Sequence, residues 1–422
     1  MGNRSAGRGI RPRRGKSERV RAAQMTVDSH SPWRPILDGD LAARVGERIA
    51  RIGAALEAHH DRPATNDPTL ADGDAGIALF FANAERDGGS ASRRESVATS
   101  VLERASNEVD DRWRTPSLYS GVVGMAWALA HASNEFAGAA DLSVDDLDEQ
   151  LLELCRDIEL DADLTYGLIG IGVYALERWP ATFAADCIPL IIDRLVRASR
   201  PGLGLAHGMA GVIAFLSAAS RLDRTWHRRI APLVARHVEE LMRHRLPPNE
   251  ATCAFPAEIG AGPCRIAWCV GDTSIAAALL GAGVQFNRED WCSTARELAL
   301  AASARPFAFS GVADAGLCHG AAGLGHLFNR LFQATGEEQF AATAREWFCH
   351  ALNMPAHANN VAGFSAWNHS DDLGWHWHAD RGFLTGAAGI GLALMAAIGS
   401  HEPTWDRVLL LSSRVPAAQG GR

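Results

Sequence analysis

A short glycine turn leading into a small-residue, apolar segment recurs seven times along this 422-residue chain. A fixed recurrence of this kind restricts the fold more than any bulk property does. The instances are GDAGIALFFA (73–82), GVVGMAWALA (121–130), GLIGIGVYAL (167–176), GMAGVIAFL (208–216), GDTSIAAALL (271–280), GAAGLGHLF (320–328) and GAAGIGLALMA (386–396). Six keep the pattern G-x-x-G, and in the fifth Ser274 stands at the second glycine's place.

Between these segments lie longer stretches with apolar residues at helical spacing and many charges, such as 94–111, 144–160, 226–244 and 337–352, with an opening one at 41–60. Their pattern predicts outer helices that bury one face, whereas the apolar segments predict inner helices buried on every side. Seven outer helices alternating with seven inner ones give an all-α chain that closes as an (α/α)7 toroid, a double ring. In that ring the inner helices run parallel and all seven glycine turns meet on one rim. An open α-solenoid is the alternative with the same alternation.

The rim register makes scattered residues comparable. Cys269 and Cys318 each stand two places before their repeat's first glycine, and His207 and His319 each stand one place before it. The other repeats carry Asp72, Ser120, Tyr166 and Thr385 immediately before that glycine. Two thiolates and an imidazole suit zinc better than oxygen-seeking ions, and three protein ligands leave a fourth tetrahedral position open, as in catalytic sites. An isolated Cys-His pair is more often core packing and a turn cap; the shared register is what favours the metal.

The remaining cysteines fit packing better. Cys155, Cys187, Cys292 and Cys349 fall in outer helices, and Cys253 and Cys264 fall in the long connection before the fifth repeat, as spare ligands at most. Eight cysteines dispersed over a chain this long are not a disulfide scaffold, so a cytoplasmic location is expected. No apolar run reaches membrane-spanning length, so no direct membrane insertion is expected.

Through WCVG (268–271), CHG (318–320) and GLAHGMAG (204–211) the sequence resembles the lanthionine synthetase C family, the lanthipeptide cyclases. The glycine repeats extend the resemblance from about residue 40 to the end. The resemblance implies a catalytic zinc on Cys269, Cys318 and His319, with His207 as a non-ligand histidine, Asp163 as its acidic neighbour and Arg265 close to the first zinc cysteine. It departs at Val270, where the family often has tyrosine. It also implies the reaction: a peptide cysteine adds to a dehydroalanine or dehydrobutyrine of the same dehydrated precursor peptide, closing a thioether ring. In this reading His207 acts as general acid or base, Asp163 orients it, and Arg265 stabilises the enolate. The competing role for Asp163 is a helix N-cap, and for Arg265 a surface ion pair.

Two rival functions share these features. A lanthionine synthetase C-like zinc protein that binds glutathione or protein partners without catalysis would have the same triad. A protein prenyltransferase is also an α/α toroid with a thiol-activating zinc, but its ligand set includes Asp and its ring has fewer hairpins. With no room for a fused dehydratase, a separate dehydratase is expected as partner, with a transporter a further member of a biosynthetic complex that would hold the protein peripherally at the membrane.

Two segments stand outside the ring. Residues 1–30 read as a basic, disordered extension, with eight Arg or Lys against the single acid Glu18 in the first 21 residues, and 31–422 as the toroid domain. The chain's net charge is -8 despite that extension, so its body is acidic and no nucleic acid partner is expected. The stretch NHSDDLGWHWHADRG (368–382) holds His369, His376 and His378 with Asp371, Asp372 and Asp380. It matches no fixed metal motif and reads as a rim loop whose Trp375 and Trp377 line a peptide groove.

Overall fold

The computed structural model describes residues 32–60, 67–84, 99–101, 115–135, 144–157, 160–196, 202–247, 253–370 and 372–414. The N-terminal extension 1–30 and most of the outer segment 94–111 lie outside the described residues. The helices are α1 (Gly39–His60), α2 (Asp74–Ala84), α3 (Val122–Glu135), α4 (Asp145–Asp157), α5 (Leu168–Arg178), α6 (Thr182–Leu195) and α7 (Met209–Leu222). They continue with α8 (Arg224–Arg243), α9 (Asp272–Gln285), α10 (Glu289–Ser303), α11 (Ala321–Thr335), α12 (Glu338–Asn353) and α13 (Ala387–Ile398).

The seven apolar segments form α2, α3, α5, α7, α9, α11 and α13. Each packs on the next, and α13 packs back on α2, so the ring is closed and the solenoid alternative is excluded. From α6 onwards the outer helices pair with the inner helix that precedes them, α6 with α5, α8 with α7, α10 with α9 and α12 with α11, whereas α4 packs on α6. The first outer helix, α1, therefore finds its partner at the other end of the chain, on α13. Backbone bonds from Ile36 and Leu37 to the Ala397 carbonyl, and from Trp33 Nε1 to the Ala396 carbonyl (2.9 Å), fasten that closure.

The glycine turns work by close approach. The first N–H groups of an inner helix, which have no partner within the helix, donate to carbonyls seven residues earlier, as in Ala321 to Asp314, Ala322 to Ala315 and Gly323 to Gly316. The rim turn thus caps its own helix, and the N-cap residue Gly320 supplies no side-chain bond. This folding-back leaves no room for a side chain at the second glycine: a Cβ on Gly323 would lie 1.9 Å from the Leu317 carbonyl oxygen, and one on Gly389 1.8 Å from that of Phe383. The fifth repeat differs. Gly271 adopts φ +84°, and Ser274 at the second-glycine position turns its hydroxyl onto the Gly271 carbonyl at 2.8 Å.

Neighbouring turns are then joined by backbone hydrogen bonds around the whole rim. The N–H groups of Ala71, Leu118, Leu164, Ala206, Cys269, Cys318 and Leu384 donate in turn to Tyr119, Thr165, Ala206, Cys269, Cys318, Leu384 and Ala71. Every acceptor stands two places before a first glycine, the position occupied by the two candidate zinc cysteines. The 3-10 turn Trp405–Leu409 packs against residues of the second, fifth and sixth repeats. Tyr119 Oη and Trp268 Nε1 donate to the carbonyls of Val408 and Leu409, while the fully buried Asp406 carboxylate accepts from Arg330 (2.6 Å) and faces His326 Nε2 (2.7 Å). These bonds tie the second, fifth and sixth repeats together through one turn, and the face of the ring that carries the glycine turns is the bowl.

One sequence expectation is corrected. The stretch 368–382 is not a loop throughout; most of it forms an antiparallel hairpin, β1 (Ala366–Ser370) and β2 (Gly374–His378). Its polar and aromatic residues alternate with period two, and Gly374 at φ +62° makes the reversal.

Candidate metal centre and its neighbours

Ring geometry brings the fifth and sixth repeats side by side, and with them Cys269, Cys318 and His319. One ligand atom from each lies within 4.8 Å of the others, and among the described residues no other cluster of at least three His, Cys, Asp or Glu does this. The two thiols share a hydrogen bond, so they lose protons unequally. Cys269 is held well below the ordinary thiol range by that bond from Cys318, with His319 and Arg265 helping against burial, and Cys318 is pushed up in return. A pair that already favours one thiolate is prepared for a cation. The donor set fits zinc: two soft thiols and an imidazole, with His319 Nε2 buried and lacking any hydrogen-bond partner.

His207 lies on the adjacent fourth repeat and is not in the cluster. Its Nδ1 meets Asp163 Oδ2 at 2.9 Å, and the imidazole is about half exposed to the bowl. The hydrogen bond to Asp163 raises its pKa above the usual histidine value, against the opposing effect of burial. For Asp163, burial favours the neutral acid, but the His207 bond and the turn N–H groups outweigh it and hold the carboxyl below its ordinary range. Those turn bonds come from Thr165 N (2.7 Å) and Tyr166 N (2.8 Å) to Oδ1. The N-cap of α5 is Gly167, so Asp163 does not cap the helix itself: Oδ1 caps the turn before it and Oδ2 holds the histidine.

Arg265 sits close enough to shift the thiols, and among the described residues no carboxylate forms an ion pair with its side chain, contrary to a surface ion-pair role. Val270 is half-buried on the same turn. Cys253 and Cys264 are not extra ligands; their thiols both bond the Phe255 carbonyl, at 3.1 and 3.4 Å. Cys155, Cys187, Cys292 and Cys349 lie on outer helices as expected, the first two with sulfurs 3.9 Å apart.

Three features escaped the sequence reading. Tyr166, exposed on the third turn, stacks on His207 with ring centroids 6.2 Å apart. Its only sequence signal was its place before the first glycine, which His207 and His319 share. Asp72 holds that place in the first repeat, and its carboxyl is pushed up to about 7 by desolvation and by the charges of Asp380 and Asp67, although the residue keeps access to solvent. Asp272, buried at the start of α9, accepts from Ala254 N, Phe255 N and Arg305, pinning the long connection beside Cys269.

The hairpin stands over the sixth and seventh turns. Asn368 Nδ2 donates to Thr385 Oγ1 (3.2 Å), on the face that also carries His376 and His378. The other face carries Trp367, His369, Trp375 and Trp377, with His357 stacked on Trp377 at 3.9 Å between centroids. His376 and His378 do share a face, but His369 lies on the opposite one. Asp371 lies outside the described residues.

The model of the lanthionine synthetase C-like protein family matches residues 64–410. The chain belongs to that family. Among solved structures, this lanthionine synthetase C-like chain is similar to one titled nisin cyclase, with 19% identity and a TM-score of 0.69, covering 87% of this chain and 97% of that one. That likeness shows the fold, a helical toroid, as the repeats predict. A sugar epimerase from a ruminal bacterium aligns at 12% identity and a TM-score of 0.44 over 85% of this chain and 98% of its own, too weakly to bear on function. No curated protein matches the sequence. Among the described residues no helix is long and apolar enough to cross a membrane.

Proposed function

We propose that this lanthionine synthetase C-like protein is a zinc-dependent lanthipeptide cyclase. It forms (methyl)lanthionine rings by Michael addition of peptide cysteine thiols to dehydroalanine or dehydrobutyrine in a dehydrated precursor peptide. The observation that carries this reading is the convergence of Cys269, Cys318 and His319 on one point of the rim, beside the His207–Asp163 pair.

Those three residues would hold the zinc, whose chemistry would be to convert a substrate thiol, bound as fourth ligand, to thiolate at neutral pH. The chain's own groups do the rest. His207, half exposed and held through Nδ1, presents its other ring nitrogen to the bowl for proton transfer, delivering a proton to the α-carbon as the sulfur–carbon bond forms at the β-carbon. Arg265, which has no carboxylate partner among the described residues, supplies positive charge for the enolate. Among the described residues, most of the large apolar side chains left exposed, Tyr166, Ile259, Phe307, Phe309, Leu373 and Trp375, lie on rim-side connections, where a peptide would be received. A separate dehydratase must supply the substrate, and the complex would work in the cytoplasm.

Purified protein should hold about one zinc per chain. Cys318→Ala should lose both metal and ring closure, measured as thiols remaining after incubation with the dehydrated precursor. His207→Ala should keep zinc and close rings about 10²- to 10⁴-fold more slowly. Complete cyclisation by zinc-free Cys318→Ala would overturn the proposal.

A further inference from the structure

The rim turns carry an internal comparison that points to one more residue. In the seventh repeat, Asp380 stands six places before the first glycine. Its Oδ1 accepts from Gly382 N at 2.7 Å, and its Oδ2 accepts from the hydroxyl of Thr385, the residue just before that glycine. Asp314 stands at the same place in the sixth repeat. Its Oδ1 accepts from Gly316 N at 3.0 Å, and its Oδ2 faces the residue just before the glycine, which here is His319, at 3.9 Å from Nε2.

The carboxylate of Asp314 is fully buried, and His319 Nε2 is also buried and has no hydrogen-bond partner. A separation of 3.9 Å is too long for a hydrogen bond, but closing it takes a shift of about 1 Å. The same Oδ2 also accepts from Trp367 N at 2.9 Å, so the first strand of the hairpin is anchored on this oxygen.

We infer that Asp314 is a positioning residue for the metal centre: it accepts the Nε2 proton of His319, leaves the other ring nitrogen free for the ion, and ties the β1–β2 hairpin to that imidazole. The inference rests on the zinc reading above and extends it outward from the three ligands. Ligand histidines are oriented this way by carboxylates elsewhere, and loss of the outer partner weakens metal affinity by about 10- to 100-fold. Asn cannot substitute. It keeps the bond from Gly316 N but places an N–H donor against two other donors, Nε2–H and Trp367 N–H.

The test is zinc affinity, measured by competition with a chromogenic chelator on the full chain, for wild type, Asp314→Asn and Asp380→Asn. Asp380→Asn removes the equivalent carboxylate from a turn that has Thr in place of the ligand histidine. Asp314→Asn is expected to bind zinc about 10- to 100-fold more weakly, and Asp380→Asn as tightly as wild type. Equal affinity for Asp314→Asn and wild type, or an equal loss in both variants, overturns the inference while leaving the zinc site standing. Failure of wild type to bind zinc overturns the site and the inference together. Nitrogen-15 spectra of the wild-type zinc protein give a second reading that needs no variant. A His319 ring protonated at Nε2 and metal-bound through Nδ1 supports the assignment, and the opposite tautomer refutes it.

Discussion

Asp163 offers the sharpest separation of chemistry from structure, because its two oxygens do different work. Asp163→Asn retains a carbonyl oxygen at the Oδ1 position, so the bonds from Thr165 N and Tyr166 N survive. What changes is the other atom, which becomes an N–H donor facing His207 Nδ1. That nitrogen must then accept, so the imidazole is driven to the tautomer with its proton on Nε2 and resists double protonation. Asp163→Ala instead removes all three bonds. At about 1 kcal/mol for each turn bond and under 1 kcal/mol for the half-exposed ion pair, it should cost about 2–3 kcal/mol, against less than about 1 kcal/mol for Asn.

The pH dependence has a definite sign. The folded pKa of His207 is raised, so its share of the pair's stability is complete below about 6.5 and is lost as pH rises through the folded value. The folded pKa of Asp163 is lowered, so its share is present above about 3.9 and lost as pH falls through the folded value. Thermal unfolding should therefore place Asn near wild type and Ala well below it. Ring closure should fall in both variants, by at most the 10²- to 10⁴-fold that proton transfer contributes. In Asp163→Asn the histidine limb of the pH–rate profile should move to lower pH. A wild-type rate and an unmoved profile in Asp163→Asn, alongside a destabilised Asp163→Ala, would reduce Asp163 to a turn cap.

The remaining predictions concern the frame. Gly323→Ala should destabilise by about 1–3 kcal/mol and weaken zinc binding, since its Cβ would meet the Leu317 carbonyl next to Cys318. Gly281→Ala in α9, where nothing lies within 4 Å, should be neutral or stabilise by up to about 1 kcal/mol; equal melting losses in both would refute the close-approach account. Glu177 is buried beside His131 and Arg407, whose charges outweigh its burial and lower its pKa to about 2. Its contribution, on the order of 3 kcal/mol, is present above about 4.5 and lost towards pH 2, so Glu177→Gln should lower the melting temperature at pH 7 and flatten that acid limb.

The ring and the metal cluster were legible because both follow from register. Small residues all round a helix require burial, and a repeated turn places equal positions on one rim, so Cys269 and Cys318 could be paired across 49 residues of sequence by counting from a glycine. Pairing of outer with inner helices was not legible, since alternation alone does not say whether α1 belongs to the turn after it or to the helix that ends the ring. The hairpin was misread as a loop because five-residue strands give little periodicity and its faces are decided by what lies beneath: Asn368 against Thr385 on one, Trp377 against His357 on the other.

Asp163 shows why some roles stay hidden even when the residue is found. The sequence offers a cap or a catalytic partner as alternatives, because each explains an acid four places before a glycine. A carboxylate has two oxygens and four lone-pair directions, and the rim turn uses one oxygen to satisfy its own N–H groups and frees the second to face whatever follows. Asp380 does this with Thr385, Asp314 with His319, and Asp163, from a different place in its turn, with His207 in the next repeat. In these three turns the acid that caps the turn also leaves a second oxygen directed at a neighbouring side chain. A ring built for packing thus presents ready-made partners for histidines, and the chemistry depends on which repeats carry them.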